Sequence, residues 1–82
     1  MTTEQEFKAR VRFNSRKRFI GKLEAGMTLI GHYDALGRPA EKQIQLDEEW
    51  HIEKPTQASV GDAEDKLREL LWRRWNQMGR TS

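Results

Sequence analysis

The part of the chain that decides the fold reads DAEDKLRELLWRRWNQM from Asp62 to Met78. Apolar residues recur there every three or four positions and form one stripe, made of Leu67, Leu70, Leu71, Trp75 and Met78. Asp62 is placed to cap the first turn of a helix, and Gly79 is placed to end it. The pattern predicts an amphipathic helix over residues 62–78, which must bury its stripe against another element.

The N-terminal part of the chain alternates apolar and polar residues. Between Glu6 and Asn14 every second residue is apolar, which is typical of a half-buried strand. One face of this strand would point to the core and would carry Phe7, Ala9, Val11 and Phe13. The opposite face would carry Lys8, Arg10 and Arg12. We therefore expect a first strand over residues 6–14, after a flexible N-terminus of residues 1–5.

Residues 15–25 allow two interpretations. Ser15 is placed to cap a short helix with Gly26 just past its end. Alternatively, residues 14–16 form a turn into a second strand over residues 17–24. We favour the strand, because Gly21 would cost a helix about 1 kcal/mol relative to alanine, whereas a β-bulge tolerates glycine.

Residues 26–46 have the pattern of a β-hairpin. Residues 34–37, Asp-Ala-Leu-Gly, suit a type I turn followed by a glycine bulge. Such a turn would pair Tyr33 with Arg38 and Gly31 with Ala40. Residues 50–53 alternate again and predict a further short strand. We interpret three glycines as a bulge, a turn and a point of close packing, in the order Gly21, Gly26 and Gly31.

Together these elements predict one α+β domain. Four or five short antiparallel strands over residues 6–54 would form a sheet or a partly closed barrel. Residues 55–61 would be a linker, the helix of residues 62–78 would pack on the sheet, and residues 79–82 would be a flexible tail. Only 35% of the 82 residues are hydrophobic, enough for one thin core. A core of this size is compatible with a monomer and equally with a homodimer.

Composition and motifs exclude several classes of function. The chain has no cysteine, hence no disulfide framework and no thiolate chemistry. It shows no nucleophile elbow and no glycine-rich phosphate loop. Two histidines each precede an acid by two positions (His32 with Asp34, His51 with Glu53), and they would form a metal site only if their strands were adjacent. We expect a non-enzymatic protein that needs no cofactor and no metal.

The N-terminus and the apolar runs predict where the protein works. The first ten residues contain acids where a signal peptide would have a basic and then an apolar region. The longest apolar run is far shorter than the ~20 residues that span a bilayer. We therefore expect a cytoplasmic protein that makes no membrane contact.

Charge is distributed unevenly along the chain. There are 15 basic and 13 acidic residues, a net charge of +2. Residues 1–24 hold seven basic and three acidic residues, whereas residues 25–55 hold three basic and six acidic ones. Cations spaced about 7 Å apart along a strand can each meet a phosphate. The predicted nucleic-acid-binding residues are Lys8, Arg10, Arg12, Arg16, Lys17 and Arg18, supported by Arg73 and Arg74.

The leading prediction from the sequence is thus a nucleic-acid-binding accessory or regulatory module that contacts phosphates. Two other interpretations of the basic strand stay open: a solvated face paired with Glu41, Glu48 or Glu49, and a surface for an acidic protein partner. The second prediction is a small protein-interaction module, an inhibitor or adaptor of the phage or plasmid kind. It would use the charge dipole and Trp72, which the helical pattern places beside arginines on the polar flank, as is typical of an interface anchor.

Overall fold

The computed structural model describes residues 3–36 and 43–80. The elements are α1 (Glu4–Arg10), β1 (Arg12–Ile20), β2 (Leu23–Leu36), β3 (Gln43–Ile52) and α2 (Gln57–Arg80). The strands form one antiparallel sheet in the order β1-β2-β3. The predicted α+β class is confirmed. The predicted strand count is wrong, because within the described residues three long strands replace four or five short ones, and the sheet is open rather than a partly closed barrel.

Helix α1 replaces most of the predicted first strand and the second half of the predicted flexible N-terminus. The Thr3 hydroxyl caps it by accepting a hydrogen bond from the Glu6 N–H at 3.2 Å. Phe7 and Val11 are both buried. Residues four apart lie on one side of a helix and also on one side of a strand, so this pair did not distinguish the two structures. Strand β1 begins only at Arg12.

The β1–β2 hairpin confirms the strand interpretation of residues 15–25, but the turn is at Gly21 and Lys22 rather than at residues 14–16. Gly21 takes a φ of +64° in this turn. Beyond the pair Lys17–Met27 the register shifts, and the next pair is Phe19–Glu24. One extra residue of β2 therefore forms a bulge, where Gly26 has a φ of +106°. The predicted roles of Gly21 and Gly26 are exchanged.

The β2–β3 hairpin is confirmed, and its predicted register is wrong. Tyr33 pairs with Leu46, and Gly31 pairs with Glu48. The pairing is displaced by eight positions from the predicted one, and an even displacement leaves every side chain on the same face. Residues 34–36 continue β2, while Gly37 and Arg38 lie outside the described residues. The predicted short strand of residues 50–53 is the end of β3.

Helix α2 begins at Gln57, five residues before the predicted start at Asp62. The Thr56 N–H donates to the Ser59 hydroxyl at 2.8 Å, and the Ser59 N–H donates to the Thr56 hydroxyl at 3.1 Å. This reciprocal capping satisfies two backbone donors of the helix start. The predicted linker of residues 55–61 is therefore mostly helix.

The core lies between α2 and one face of the sheet. Leu67 and Leu71 are fully buried, and a Cβ atom at Gly31 would lie 3.2 Å from both side chains. The predicted close packing at Gly31 is confirmed. At one end of this core Phe7 of α1 stacks on Tyr33 with ring centroids 4.0 Å apart. Neither α1 nor α2, the helices of the described residues, has both the length and the apolar composition needed to cross a bilayer.

Gly21 and Gly26, the positive-φ glycines of the described residues, provide a matched test of the hairpin. A Cβ at Gly26 would collide with the Ile52 carbonyl oxygen and lie 2.9 Å from that of Glu53, whereas a Cβ at Gly21 meets nothing within 4 Å. We expect Gly26→Ala to lower the free energy of unfolding by about 2–4 kcal/mol and Gly21→Ala by only about 1 kcal/mol. Urea denaturation measures both. Equal losses would contradict the described packing of Gly26.

Candidate nucleic-acid interface

Strand β1 is the exposed edge of the sheet. Eight of its nine residues are exposed, and only Phe13 is half-buried. Helix α2 packs on β2 and β3, and β1 is bonded on one side only, to β2. Within the described residues, the other side of β1 has no strand partner. The strand thus presents its side chains and its free edge to solvent.

The register determines which way the cations of β1 point. Arg12 lies opposite His32 and Arg16 opposite Thr28, whereas Phe13 lies opposite Gly31 on the helix-covered face. Directly opposite residues share a face and neighbours alternate, so Arg12 and Arg16, and by alternation Arg18, point away from α2. The predicted shared face of Lys8, Arg10 and Arg12 is wrong, because Lys8 and Arg10 lie on α1 and only Arg12 lies on the strand. Lys17 points to the helix side.

The β1–β2 hairpin extends beyond the rest of the sheet. Strand β3 ends at Ile52, the partner of Met27, whereas β1 and β2 stay paired as far as Ile20 and Leu23. We call residues 18–25 the hairpin tip. It carries the exposed large hydrophobic residues of the described chain: Phe19 (59% exposed), Ile20 (73%) and Leu23 (76%). The sequence analysis missed this apolar surface, although the apolar residues on both sides of Gly21 were a signal for it.

At the α1 end, predicted binding residues are held by carboxylates of the protein itself. Lys8 contacts Glu4 and Glu69, both at 2.9 Å, and Arg73 contacts Glu69 at 3.4 Å. Hydrogen bonds to Glu4 and to Glu69 raise the pKa of Lys8 above its ordinary value. In turn, Lys8 lowers the pKa of Glu69. Lys8 is thus engaged by two carboxylates, whereas the Arg73 side chain remains 69% exposed.

Two further predicted cations pair with the acidic end of β3. Arg16 donates to Glu49 at 2.9 Å across β2, and Arg74 donates to Glu48 at 2.6 Å. The interpretation of the basic strand as a partner of these acids is therefore confirmed for Arg16 with Glu49. The pair Arg74–Glu48 was not predicted, and Glu41 lies outside the described residues. Such exposed pairs contribute little to stability, roughly 0–1 kcal/mol each. Each of them binds one guanidinium nitrogen of the arginine to a carboxylate of the same chain.

Most N-terminal cations that make no ion pair lie on the β1–β2 hairpin. Among the residues that the structure describes, five N-terminal cations make no ion pair: Arg10, Arg12, Lys17, Arg18 and Lys22. All are exposed, and four of them lie on β1 or in the turn that follows it. The candidate interface is therefore narrower than the predicted set, and it includes Lys22, which the prediction omitted.

Trp72, the predicted interface anchor, packs against Phe7 of α1. Its side chain is half-buried, and its ring lies 5.3 Å from that of Phe7, at an angle of 59°. Trp75 contacts the same phenylalanine at 5.7 Å. This contact was not predicted, because the residues of α1 were expected to form a strand.

The two histidines lie on the open face of the sheet but at different sites. His51 hydrogen-bonds Thr28 at 2.9 Å. His32 contacts Asp47 through Nδ1 and Asp34 through Nε2, the latter at 3.0 Å. The two carboxylates lie on opposite sides of the His32 ring and do not converge on one ion. No group of three or more metal-binding side chains with suitable geometry is found in residues 3–36 and 43–80.

The described residues bring together exposed cations on the β1–β2 hairpin and an apolar hairpin tip. Comparisons with protein-family models, curated proteins and solved structures find no match to this chain. The functional inference therefore depends on the geometry described above.

His32 makes stability depend on pH. Its hydrogen bond to Asp47, followed by that to Asp34, raises the pKa of His32 above 6.5. The stabilisation is therefore fully present below pH 6.5 and is lost as the pH rises through the folded-state pKa. We expect His32→Gln to lower the free energy of unfolding by about 0.5–1 kcal/mol at pH 5.5 and by less at pH 8.5. Urea denaturation at the two pH values measures this, and a loss that grows with pH would contradict it.

Proposed function

We propose that the protein is a non-enzymatic nucleic-acid-binding accessory or regulatory module that contacts phosphates through the β1–β2 ribbon. The observation that carries the proposal is an exposed edge strand whose cations Arg12, Lys17 and Arg18 have no ion-pair partner in the described chain. Cations that have no ion-pair partner within the protein can displace the counterions condensed on nucleic-acid phosphates. This counterion release drives most nonspecific binding.

The dimensions of the ribbon support this proposal. Arg12 and Arg18 are six residues apart on β1, or about 20 Å at 3.3 Å per residue. Because Lys17 points to the opposite face from its arginine neighbours, the ribbon offers positive charge on both sides. A two-stranded ribbon with this charge fits between the two phosphate rows that border a groove.

The side chains around the ribbon favour recognition of the backbone over the reading of bases. Phe13 and Trp50 lie on the helix side of the sheet, partly buried in the core. The open face has Ile30 at its centre and the carboxylates of Asp47 and Glu49 along β3. Among the described residues this face carries no Phe, Tyr or Trp to stack on bases, and its acidic strand repels phosphates. The contact would be restricted to β1 and the hairpin tip.

The protein-interaction module remains the second proposal. An acidic protein partner would use the same cations, and the charge dipole would orient it. Trp72, however, packs against Phe7, so only its exposed part is left to anchor a partner. We therefore place nucleic acid first.

If the proposal is right, DNA binding depends more on where the positive charges lie than on how many there are. We expect Lys17→Gln with Arg18→Gln to weaken binding to duplex DNA at least about tenfold at 0.1 M salt, and to reduce the slope of log K against log salt by about two. Lys54→Gln with Lys66→Gln removes the same charge elsewhere and should leave the slope nearly unchanged. Fluorescence anisotropy over a salt series measures both variants.

Two results would contradict the proposal. Equal losses in the two variants would mean that net charge acts, rather than the ribbon. An absence of salt-dependent binding by the wild-type protein to duplex or single strands below ~100 μM would exclude nucleic acid, because nonspecific binders reach 10⁻⁴–10⁻⁶ M.

A further inference from the structure

The hairpin tip combines apolar side chains with flanking cations. Ile20 and Leu23 are direct partners and therefore share one face, and Phe19 points to the other. These three side chains are 59–76% exposed, and Arg18 and Lys22 stand next to them in the chain. Clustered apolar surface of this kind marks a site of interaction in a small protein. Apolar groups on both faces of a two-stranded end have the form of a wedge.

The base of the hairpin tip packs against the end of β3. At its base Gly26 packs against the backbone carbonyls of Ile52 and Glu53. The bulge at this point increases the local twist and sets the direction in which the ribbon leaves the sheet. At its far end the turn needs only Gly21 and Lys22, so the end of the wedge is narrow.

We propose that the hairpin tip inserts Phe19, Ile20 and Leu23 at a base step in the minor groove of B-form DNA, unstacking the bases and bending the duplex. This inference rests on the proposed function and specifies its ligand. Minor-groove proteins insert phenylalanine, leucine or isoleucine in this way, while cations neutralise the phosphates on both sides. Here Arg18 and Lys22 flank the inserted side chains. Arg12 and Lys17 contact phosphates farther along the duplex from the base step.

The position of the cations favours a duplex over a lipid surface. Arg12 lies about 20 Å along β1 from Arg18, more than twice the Debye length of about 8 Å at physiological salt. A bilayer that met the tip would leave Arg12 without a partner, whereas a duplex along the ribbon engages both arginines. Pairing of the β1 edges of two copies of this chain is disfavoured, because it would bring like charges together.

The experiment uses a duplex of about 20 base pairs with 2-aminopurine at an A·T-rich centre and a donor and acceptor dye at its ends. The wild-type protein should increase the 2-aminopurine fluorescence and bend the duplex by roughly 20–90°. The variant Phe19→Ser, Ile20→Ser, Leu23→Ser changes only exposed side chains. It should keep the salt slope and an affinity within about threefold of wild type, and lose both the fluorescence increase and the bend.

The variant Lys17→Gln with Arg18→Gln is the matched control. It should bind more weakly, yet at saturating protein it should still unstack and bend the duplex. Circular dichroism and thermal unfolding confirm that each variant is folded. The wedge and the phosphate contacts are thus separated, because one variant loses distortion and the other loses affinity.

The remaining outcomes overturn the inference in distinguishable ways. Salt-dependent binding without unstacking, or unstacking that survives in the serine variant, excludes the wedge and leaves the proposed function standing. A lack of binding to any nucleic acid excludes both. Binding of the wild-type protein to phosphatidylserine vesicles that the serine variant loses, without binding to the duplex, assigns the tip to a lipid surface.

Discussion

The close approach of α2 to β2 at Gly31 is the constraint on which the rest of the structure depends. Leu67 and Leu71 reach the backbone of the central strand because residue 31 has no side chain, and a methyl group there would meet both at 3.2 Å. The helix is thereby seated over β2 and β3. One helix of this width does not also cover β1, which is why the edge strand is exposed along almost its whole length.

The charges follow from this arrangement. Helix α1 closes the core with Phe7 and brings Lys8 to Glu69 of α2, while α2 brings Arg74 to Glu48 of β3. Lys8 of α1 and Arg74 of α2 are thus paired within the domain. Four cations of the hairpin, Arg12, Lys17, Arg18 and Lys22, have no ion pair within the described residues, and the apolar tip is exposed on the same hairpin. Packing and electrostatics together place exposed cations and exposed apolar side chains on one element.

Sequence patterns predicted the elements that have one dominant periodicity. The apolar stripe through Leu67 and Leu71 predicted α2, and its start was wrong because Thr56 and Ser59 cap the helix before Asp62. Phe7 and Val11 fit a helix as well as a strand, so α1 was missed. The β2–β3 register was wrong because a displacement of eight residues preserves both faces. Alternation alone therefore does not fix the alignment of long strands.

The candidate site was predictable to the extent that it depends on local alternation. The predicted face of Lys8, Arg10 and Arg12 required a strand that begins before Arg12, and α1 removes Lys8 and Arg10 from it. Alternation within β1 places Arg12, Arg16 and Arg18 on one face instead. The pairing of Arg16 with Glu49 depends on the alignment of three strands, and that of Lys8 with Glu69 depends on an unpredicted helix. The hairpin tip was missed for a similar reason: its exposure depends on where β3 ends, which the sequence pattern did not indicate.

We propose that the β1–β2 ribbon, and not α2 or β3, meets the ligand. A titration of the ¹⁵N-labelled protein with an unlabelled duplex, followed by amide chemical shifts, tests this proposal most directly. We expect the largest shifts and the strongest line broadening in residues 12–25, with small changes in α2. Changes centred on α2 or on β3, with an unperturbed hairpin, would contradict it.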